Sequence, residues 1–262
     1  MTPAMRCLLV TRPQPQADAW VARLQALGVP ARALPLLRIE RAPAFDAEVA
    51  AAWATLATRR LVMFVSPNAV LAFLAGRPAG TPWPSGTLAG ATGPGTVAAL
   101  LGQGVDPACI AAPPADAPTF DAEALWRHAL VGQDWTGRSV LVVRGEDGRD
   151  WLADTLRQAG AEVDCLAAYR RTGPVWDAAV QAALADVVAR PAGHAWLFSS
   201  SQGIAHLLDA PLAPAAAAAL RQVPALATHP RIAATAQRAG WSDVRAVGPD
   251  PAAVGTALAA LA

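Results

Sequence analysis

Six short segments carry the residues that could do chemistry: Thr11-Arg12-Pro13, Ser66-Pro67-Asn68, Thr92 to Thr96, Arg144 to Gly148, Ser199 to Gln202 and Thr228 to Arg231. Each follows a short apolar run and is built from hydroxyl residues, glycine, proline and arginine, with few carboxylates or histidines. Such turns offer backbone N–H groups, hydroxyl donors and guanidinium charge. That inventory suits binding of an anion better than acid–base catalysis. A serine or threonine in such a place is also a helix N-cap in its own right. Recurrence at each such turn, in both halves of the chain, favours a joint ligand role. The candidate binding residues are therefore Arg12, Ser66, Thr96, Arg144, Ser199, Ser200, Ser201, Thr228, His229 and Arg231.

Other chemistries are excluded or reduced. All 21 basic residues are arginine, so the chain has neither a Schiff-base lysine nor a Walker lysine. Gly93-Pro94-Gly95 is too short for a dinucleotide fingerprint. Of the four histidines, His229 stands at a candidate turn, whereas His128, His194 and His206 read as surface or helix residues, too far apart for a local metal motif. Glu146 and Asp147 are adjacent and read as a solvated acidic turn. Cys7, Cys109 and Cys165 lack CxxC spacing and read as buried free thiols. Nine scattered tryptophans read as core or rim residues. No metal site is expected. A net charge of +1 speaks against a nucleic-acid partner. No apolar run approaches the eighteen residues of a membrane helix, and Cys7 to Val10 is too short for a signal peptide's apolar region. A cytoplasmic protein without a membrane partner is expected.

These turns must be positioned by strands and helices. Cys7–Val10 reads as a buried strand, followed by a helix with Ala17, Trp20, Val21, Leu24 and Leu27 at helical spacing and Gly28 as its cap. The unit recurs 132 positions later, where Leu9, Val10, Arg12, Leu24, Gly28, Leu34 and Arg38 match Leu141, Val142, Arg144, Leu156, Gly160, Leu166 and Arg170. Leu61–Val65 with its following Ser66 echoes Ala195–Phe198 with Ser199, and Leu88–Gly95 echoes Pro224–Arg231. This pattern is a duplication of an alternating β–α half.

The fold class expected is therefore α/β: two similar parallel-sheet lobes, flavodoxin-like or Rossmann-like. The stretch Ala161 to Pro174, with the only tyrosine, Tyr169, reads as a strand on which Val163, Cys165 and Ala167 alternate with Asp164 and Leu166. Its look-alike is Val29 to Arg41. If both bridge the lobes, Leu36–Arg41 pairs with Cys165–Thr172 as a two-stranded antiparallel ladder. The first, discontinuous lobe is then 1–34 with 173–262, the second is 42–163, and 35–41 and 164–172 are the bridging strands. A ligand would sit in the cleft they hinge. The simpler alternative is a tandem of contiguous halves divided near Asp134–Gly137.

Taken in order, LLVTRPQPQA, FVSPNAV, GPGT, VVRGEDGR, the strand end AAYRRT, FSSSQGI and HPRIAATAQRAG resemble the uroporphyrinogen-III synthase family over essentially the whole chain. Single motifs are weak signals, but the ordered series is specific. The resemblance implies the crossed two-lobe fold, no cofactor, and a monomeric cytoplasmic enzyme of tetrapyrrole (haem) biosynthesis, a lyase. Its substrate would be hydroxymethylbilane, cyclised to uroporphyrinogen III with loss of water and inversion of ring D. Tyr169 then matches the family's bridging-strand tyrosine, a candidate catalytic residue that hydrogen-bonds or protonates the departing hydroxyl. Ser66 and Thr96 match hydroxyl positions of the first half, and Ser199 to Ser201 those of the second. Where many members have a Gly-Pro-x-Thr turn, this chain has His229-Pro230-Arg231-Ile232, so the threonine's part falls to Thr228 or Arg231. Two other readings are distinguishable by experiment. A two-lobed sensor for an anionic small molecule would bind without turnover, and a flavodoxin-like redox module would purify yellow.

Overall fold

A computed structural model describes residues 6–146 and 150–261. The chain alternates strands with helices, except that the second strand runs on to the third and the eighth helix to the ninth. The strands are β1 (Cys7–Val10), β2 (Ala31–Ala33), β3 (Arg38–Glu40), β4 (Leu61–Phe64), β5 (Leu88–Ala91), β6 (Ile110–Ala111), β7 (Ser139–Gly145), β8 (Glu162–Thr172), β9 (His194–Phe198), β10 (Ala225–Ala227) and β11 (Val244–Ala246). The helices are α1 (Gln16–Ala26), α2 (Pro43–Ala54), α3 (Pro67–Leu74), α4 (Pro94–Gly102), α5 (Ala122–Leu125), α6 (Trp151–Gln158), α7 (Ala178–Ala189), α8 (Ser201–Leu208), α9 (Pro214–Arg221), α10 (Pro230–Arg238) and α11 (Pro251–Ala259). Proline opens α2, α3, α4, α9, α10 and α11 at the first turn, where its missing N–H leaves no bond unmade. Gly28, Gly104, Gly160 and Gly240 take positive φ just beyond helix ends, the conformation that stops a helix.

The chain divides into two compact units, Met1–Arg38 with Thr172–Ala262, and Ile39–Arg171. It passes from one to the other twice, inside the two segments read from sequence as bridges. Each unit has its own sheet. The first is ordered β11-β10-β9-β1-β2, with every adjacent pair parallel. The second is ordered β3-β8-β7-β4-β5-β6, parallel from β8 to β6. Read from β2 and from β8, the two orders are the same, and the duplicated segments occupy equivalent places. In each sheet the first two strands come from one half of the sequence and the next three from the other.

Both faces of both sheets are covered, as near-continuous apolar strands require. Along β4, Val62 and Phe64 enter one core with Trp53, Phe73 and Leu166, while Leu61 and Met63 enter another with Leu125, Trp135 and Leu156. In the first unit Leu9 packs with Trp196, Phe198 and Trp241, while Leu8 and Val10 pack with Trp20, Leu24 and Leu197. Each such fully buried large side chain contributes roughly 1.5–3 kcal/mol relative to exposure. Among the described residues, no helix is long and apolar enough to cross a membrane.

Three sequence expectations change. The strand pairing with β8 is Arg38–Glu40 alone, not Leu36–Arg41. Leu34 and Leu36 donate instead to the carbonyls of Val10 and Thr11, and Leu36 and Leu37 are buried. On β8 the buried residues are Leu166, Ala168 and Tyr169, while Cys165 is exposed, so only Cys109 is a fully buried thiol and Cys7 is half-buried. Burial raises the Cys7 thiol's pKa. His194 lies buried on β9, not at the surface: Arg190's carbonyl is 3.0 Å from its Nδ1 and Asp186 is 3.3 Å from its Nε2. Asp186 also pairs with Arg32 at 3.3 Å and with Arg190, so a four-residue charge network occupies the N-terminal end of that sheet.

Candidate functional site

In a parallel sheet of this order, the strands leave in opposite directions on either side of one point, and ligands bind beyond the carboxyl ends there. That point is β7/β4 in the second unit and β1/β9 in the first.

In the second unit, Ser66 follows β4 and caps α3, accepting a hydrogen bond from the Ala69 N–H at 3.2 Å. Its Oγ also lies 3.0 Å from the Tyr169 hydroxyl. Tyr169 arrives from β8 with no side-chain exposure. The cause is a bulge: Arg144 pairs with Ala167, but Gly145 pairs with Tyr169, leaving Ala168 unmatched. One extra residue reverses the alternation, so Tyr169 points inward next to inward-facing Ala168. The ring lies against Gly145, where a Cβ would come within 3.0 Å of Tyr169 Cε2. The Arg171 Nη2 donates to the phenol oxygen at 3.4 Å, and its guanidinium carbon is 5.8 Å from the ring centroid.

Thr96, in the first turn of α4, is buried and 3.4 Å from the Thr92 hydroxyl, which lies at the same distance from the Val65 carbonyl. The Thr92–Thr96 turn is therefore tied to the end of β4. At Gly93 a Cβ would be 2.7 Å from Phe120 Cβ, so close approach explains that glycine. Arg144 is paired with Asp150. Glu146 is held by Arg170 through two contacts of 2.7 and 3.3 Å, and the hydrogen bond from Arg170 lowers the carboxyl's pKa. Asp147, its expected acidic neighbour, lies outside the described residues, as do Gly148 and Arg149.

In the first unit, Thr11 donates its hydroxyl to the Leu197 carbonyl at 2.7 Å, linking the ends of β1 and β9. Arg12 lays its guanidinium over the Trp20 ring, 4.4 Å from the centroid. Its Nε is buried without a hydrogen-bond partner among the described residues. Burial, and secondarily the charge of Arg23, pulls its pKa down to about 10. Ser199 is half-buried after β9, and Ser200 caps α8 by accepting from the Gln202 N–H at 3.2 Å. Ser201 is exposed and donates to Thr235 at 3.1 Å. Thr228 is held to the end of β9 by its N–H bond to Phe198. His229 serves as the N-cap of α10: its Nδ1 accepts from the Arg231 N–H at 3.1 Å. Arg231 is exposed in the first turn of that helix.

The structure thus brings Ser66 and Tyr169 into contact within one unit. It sets Arg12, Ser199, Ser200, Thr228 and His229 along one sheet edge of the other. Ser201 and Arg231 stand on helix surfaces beside that edge. Sequence reading missed Arg171, and it included Gly145 and Thr92 in candidate turns without singling out either. Arg171 was visible only as one of two arginines after the tyrosine, and the role of Gly145 exists only through the bulge.

Comparison with known proteins places these features in context. The family model described as "Uroporphyrinogen-III synthase HemD" matches residues 18–254. A uroporphyrinogen-III synthase of Salmonella typhimurium is 33% identical over 177 residues, covering 67% of this chain and 69% of that protein. Among solved structures, a mutant uroporphyrinogen III synthase from the extremely thermophilic bacterium Thermus thermophilus superposes with a TM-score of 0.59 at 19% identity, covering 98% of this chain and 97% of that one. A uroporphyrinogen-III synthetase from Helicobacter pylori 26695 gives 0.53 at 15% identity, covering 98% and 100%. These two likenesses concern the fold; the family assignment rests on the sequence matches. With nearly all of its length matched and its strand-end turns in the expected order, the chain belongs to the uroporphyrinogen-III synthase family.

Proposed function

We propose that this protein is a cytoplasmic, monomeric lyase that converts hydroxymethylbilane to uroporphyrinogen III without a cofactor. The family match over residues 18–254 carries this reading, and the chemistry of the strand-end turns agrees with it. The substrate is a linear tetrapyrrole bearing eight carboxylates. Breaking its terminal C–O bond, with a proton delivered to the departing oxygen, releases water and leaves an electrophilic azafulvenium cation. Ring D then attacks through its substituted carbon to give a spiro intermediate. Fragmentation and recombination invert the ring, and loss of one proton closes uroporphyrinogen III. Little activation is needed; orientation decides which isomer forms.

The starts of α3 and α4 in one unit, and of α8 and α10 in the other, each offer N–H groups that suit a carboxylate. Charged contacts at helix N-termini contribute roughly 0.3–1 kcal/mol each. Thr96 and Arg144 serve this purpose in one unit, where Ser66 caps α3, and Arg12, Ser199, Ser200, Ser201, Thr228, His229 and Arg231 serve it in the other. His229 contributes by holding the first turn of α10 in place, because its ring is already the cap. Tyr169 belongs to the proton-delivering set. The test is to supply hydroxymethylbilane and separate the product isomers. Formation of the type III isomer above the spontaneous type I background is expected. Binding without any change in isomer would instead indicate an anion-binding protein.

A further inference from the structure

The phenol of Tyr169 is fully buried, and both its hydrogen-bond partners are accounted for. Their chemistry sets a direction. A guanidinium can only donate, so the Tyr169 oxygen accepts from Arg171. The phenol proton then needs an acceptor, because a buried unpaired O–H is costly. Among the described residues the one available is Ser66 Oγ, at 3.0 Å. Ser66 also accepts from the Ala69 N–H at 3.2 Å, another group that can only donate. Both lone pairs of Ser66 are thereby occupied, and of the two hydroxyl protons its own is the one left uncommitted. Ser66 is half-buried at the carboxyl end of β4, beside the strand-order switch, where Tyr169 itself has no exposure.

We propose that Ser66 is the residue that hands the proton to the departing hydroxyl, and that Tyr169 and Arg171 act through it as positioning residues. This inference rests on the reaction proposed above. As the substrate C–O bond breaks, its electron pair goes to oxygen and the Ser66 proton completes water. Tyr169 passes its proton to Ser66, and the phenolate is held by the Arg171 charge. The proton lost from ring D at the end of the reaction restores the phenol, so the cycle is balanced.

The experiment compares Ser66→Gly, Ser66→Thr, Tyr169→Phe and the double variant Ser66→Gly/Tyr169→Phe in steady-state turnover of hydroxymethylbilane. Glycine is chosen because it caps a helix nearly as well as serine and lacks the hydroxyl. Ser66→Gly is expected to lower kcat by about 10- to 100-fold, at the low end of general acid effects, with KM changed less than about twofold. Ser66→Thr should recover most of the loss. Tyr169→Phe should lower kcat in the wild-type background and change it by less than about twofold in the Ser66→Gly background, because the route it feeds is gone. Full kcat in Ser66→Gly beside an active wild type would overturn this inference alone. So would a Tyr169→Phe effect of equal size in both backgrounds. A wild-type protein that forms no type III isomer would overturn the underlying reading, and this inference with it.

Discussion

At the scale of single residues, burial separates groups that look alike in the sequence. Tyr169 and Arg12 are both polar residues inside the protein, but one has its partners and the other does not. The Tyr169 hydroxyl is satisfied by Ser66 and Arg171. Replacing it with phenylalanine keeps the ring in its packed place, and is expected to lower turnover by up to about 100-fold while leaving product affinity nearly intact. Measuring turnover, melting temperature and product isomers on one preparation checks this, since a purely structural tyrosine would lose stability instead. Arg12 rests on Trp20 with its Nε unpartnered, and its lowered pKa reflects the cost of holding a charge there. A carboxylate from a ligand would relieve that cost. Arg12→Met should therefore weaken binding of an octacarboxylate porphyrinogen by about 10-fold or more, in line with roughly 1.5–3 kcal/mol for a charged hydrogen bond, with little loss of melting temperature. Unchanged affinity would assign Arg12 to packing alone.

At the scale of elements, a one-residue bulge and an ionic network decide what the strands present. The bulge turns Tyr169 inward, and Gly145 is the neighbour that makes room for its ring. Gly145→Ala places a methyl group 3.0 Å from a fully buried ring. Overpacking of this kind costs about 1–3 kcal/mol, and the displaced phenol should lose its contact with Ser66. A lower melting temperature together with a loss of turnover like that of Tyr169→Phe is expected. Retention of both would mean that the strand relaxes. In the first unit, the hydrogen bond from Arg190, followed by the charges of Arg190, Arg32 and His194, depresses the Asp186 pKa. A carboxylate depressed on folding adds stability that is fully present above its unfolded pKa, near 4, and is lost as pH falls through the folded value. Asp186→Asn should lower the melting temperature at neutral pH. The gap to the wild type should narrow below about pH 4; a gap constant with pH would show that the network is not coupled to folding.

At the scale of the whole molecule, the crossing of the chain has a consequence for folding. Ile39–Arg171 is contiguous and contains four complete strands, β4 to β7, with β8 but for its last residue, Ile39–Glu40 of β3 and both cores of its sheet. Expressed alone, it is expected to fold and melt cooperatively, because every core partner travels with it. The other unit needs two separated pieces, Met1–Arg38 and Thr172–Ala262, and β1 lies between β2 and β9. Its C-terminal piece alone lacks β1 and β2 and should not give a cooperative transition. Circular dichroism and thermal melts of both fragments check the pair of outcomes; an unfolded Ile39–Arg171 would show that the second unit depends on the first.

The duplication, the alternation of strand and helix, the parallel sheets and the hydroxyl-rich turns were all legible in the sequence. They depend on periodicity, on glycine and proline chemistry, and on like residues recurring at matched spacing, all of which are local. Family membership was legible for the same reason, since an ordered series of turns survives where single motifs do not. Other features depended on neighbours far away in the chain. Cys165 was assigned to the core and lies exposed, because its neighbour Leu166 holds the inward phase of β8 there; Tyr169 turns inward because a bulge opposite Gly145 changes that phase. His194 was read as a surface or helix residue and is buried on a strand, where Asp186 and Arg32 reach it from a helix and a strand of other segments. The pairing of Ser66 with Tyr169 spans 103 positions. Which of several plausible hydroxyls has a proton to give follows from which donors surround it, and only the folded chain assembles those donors.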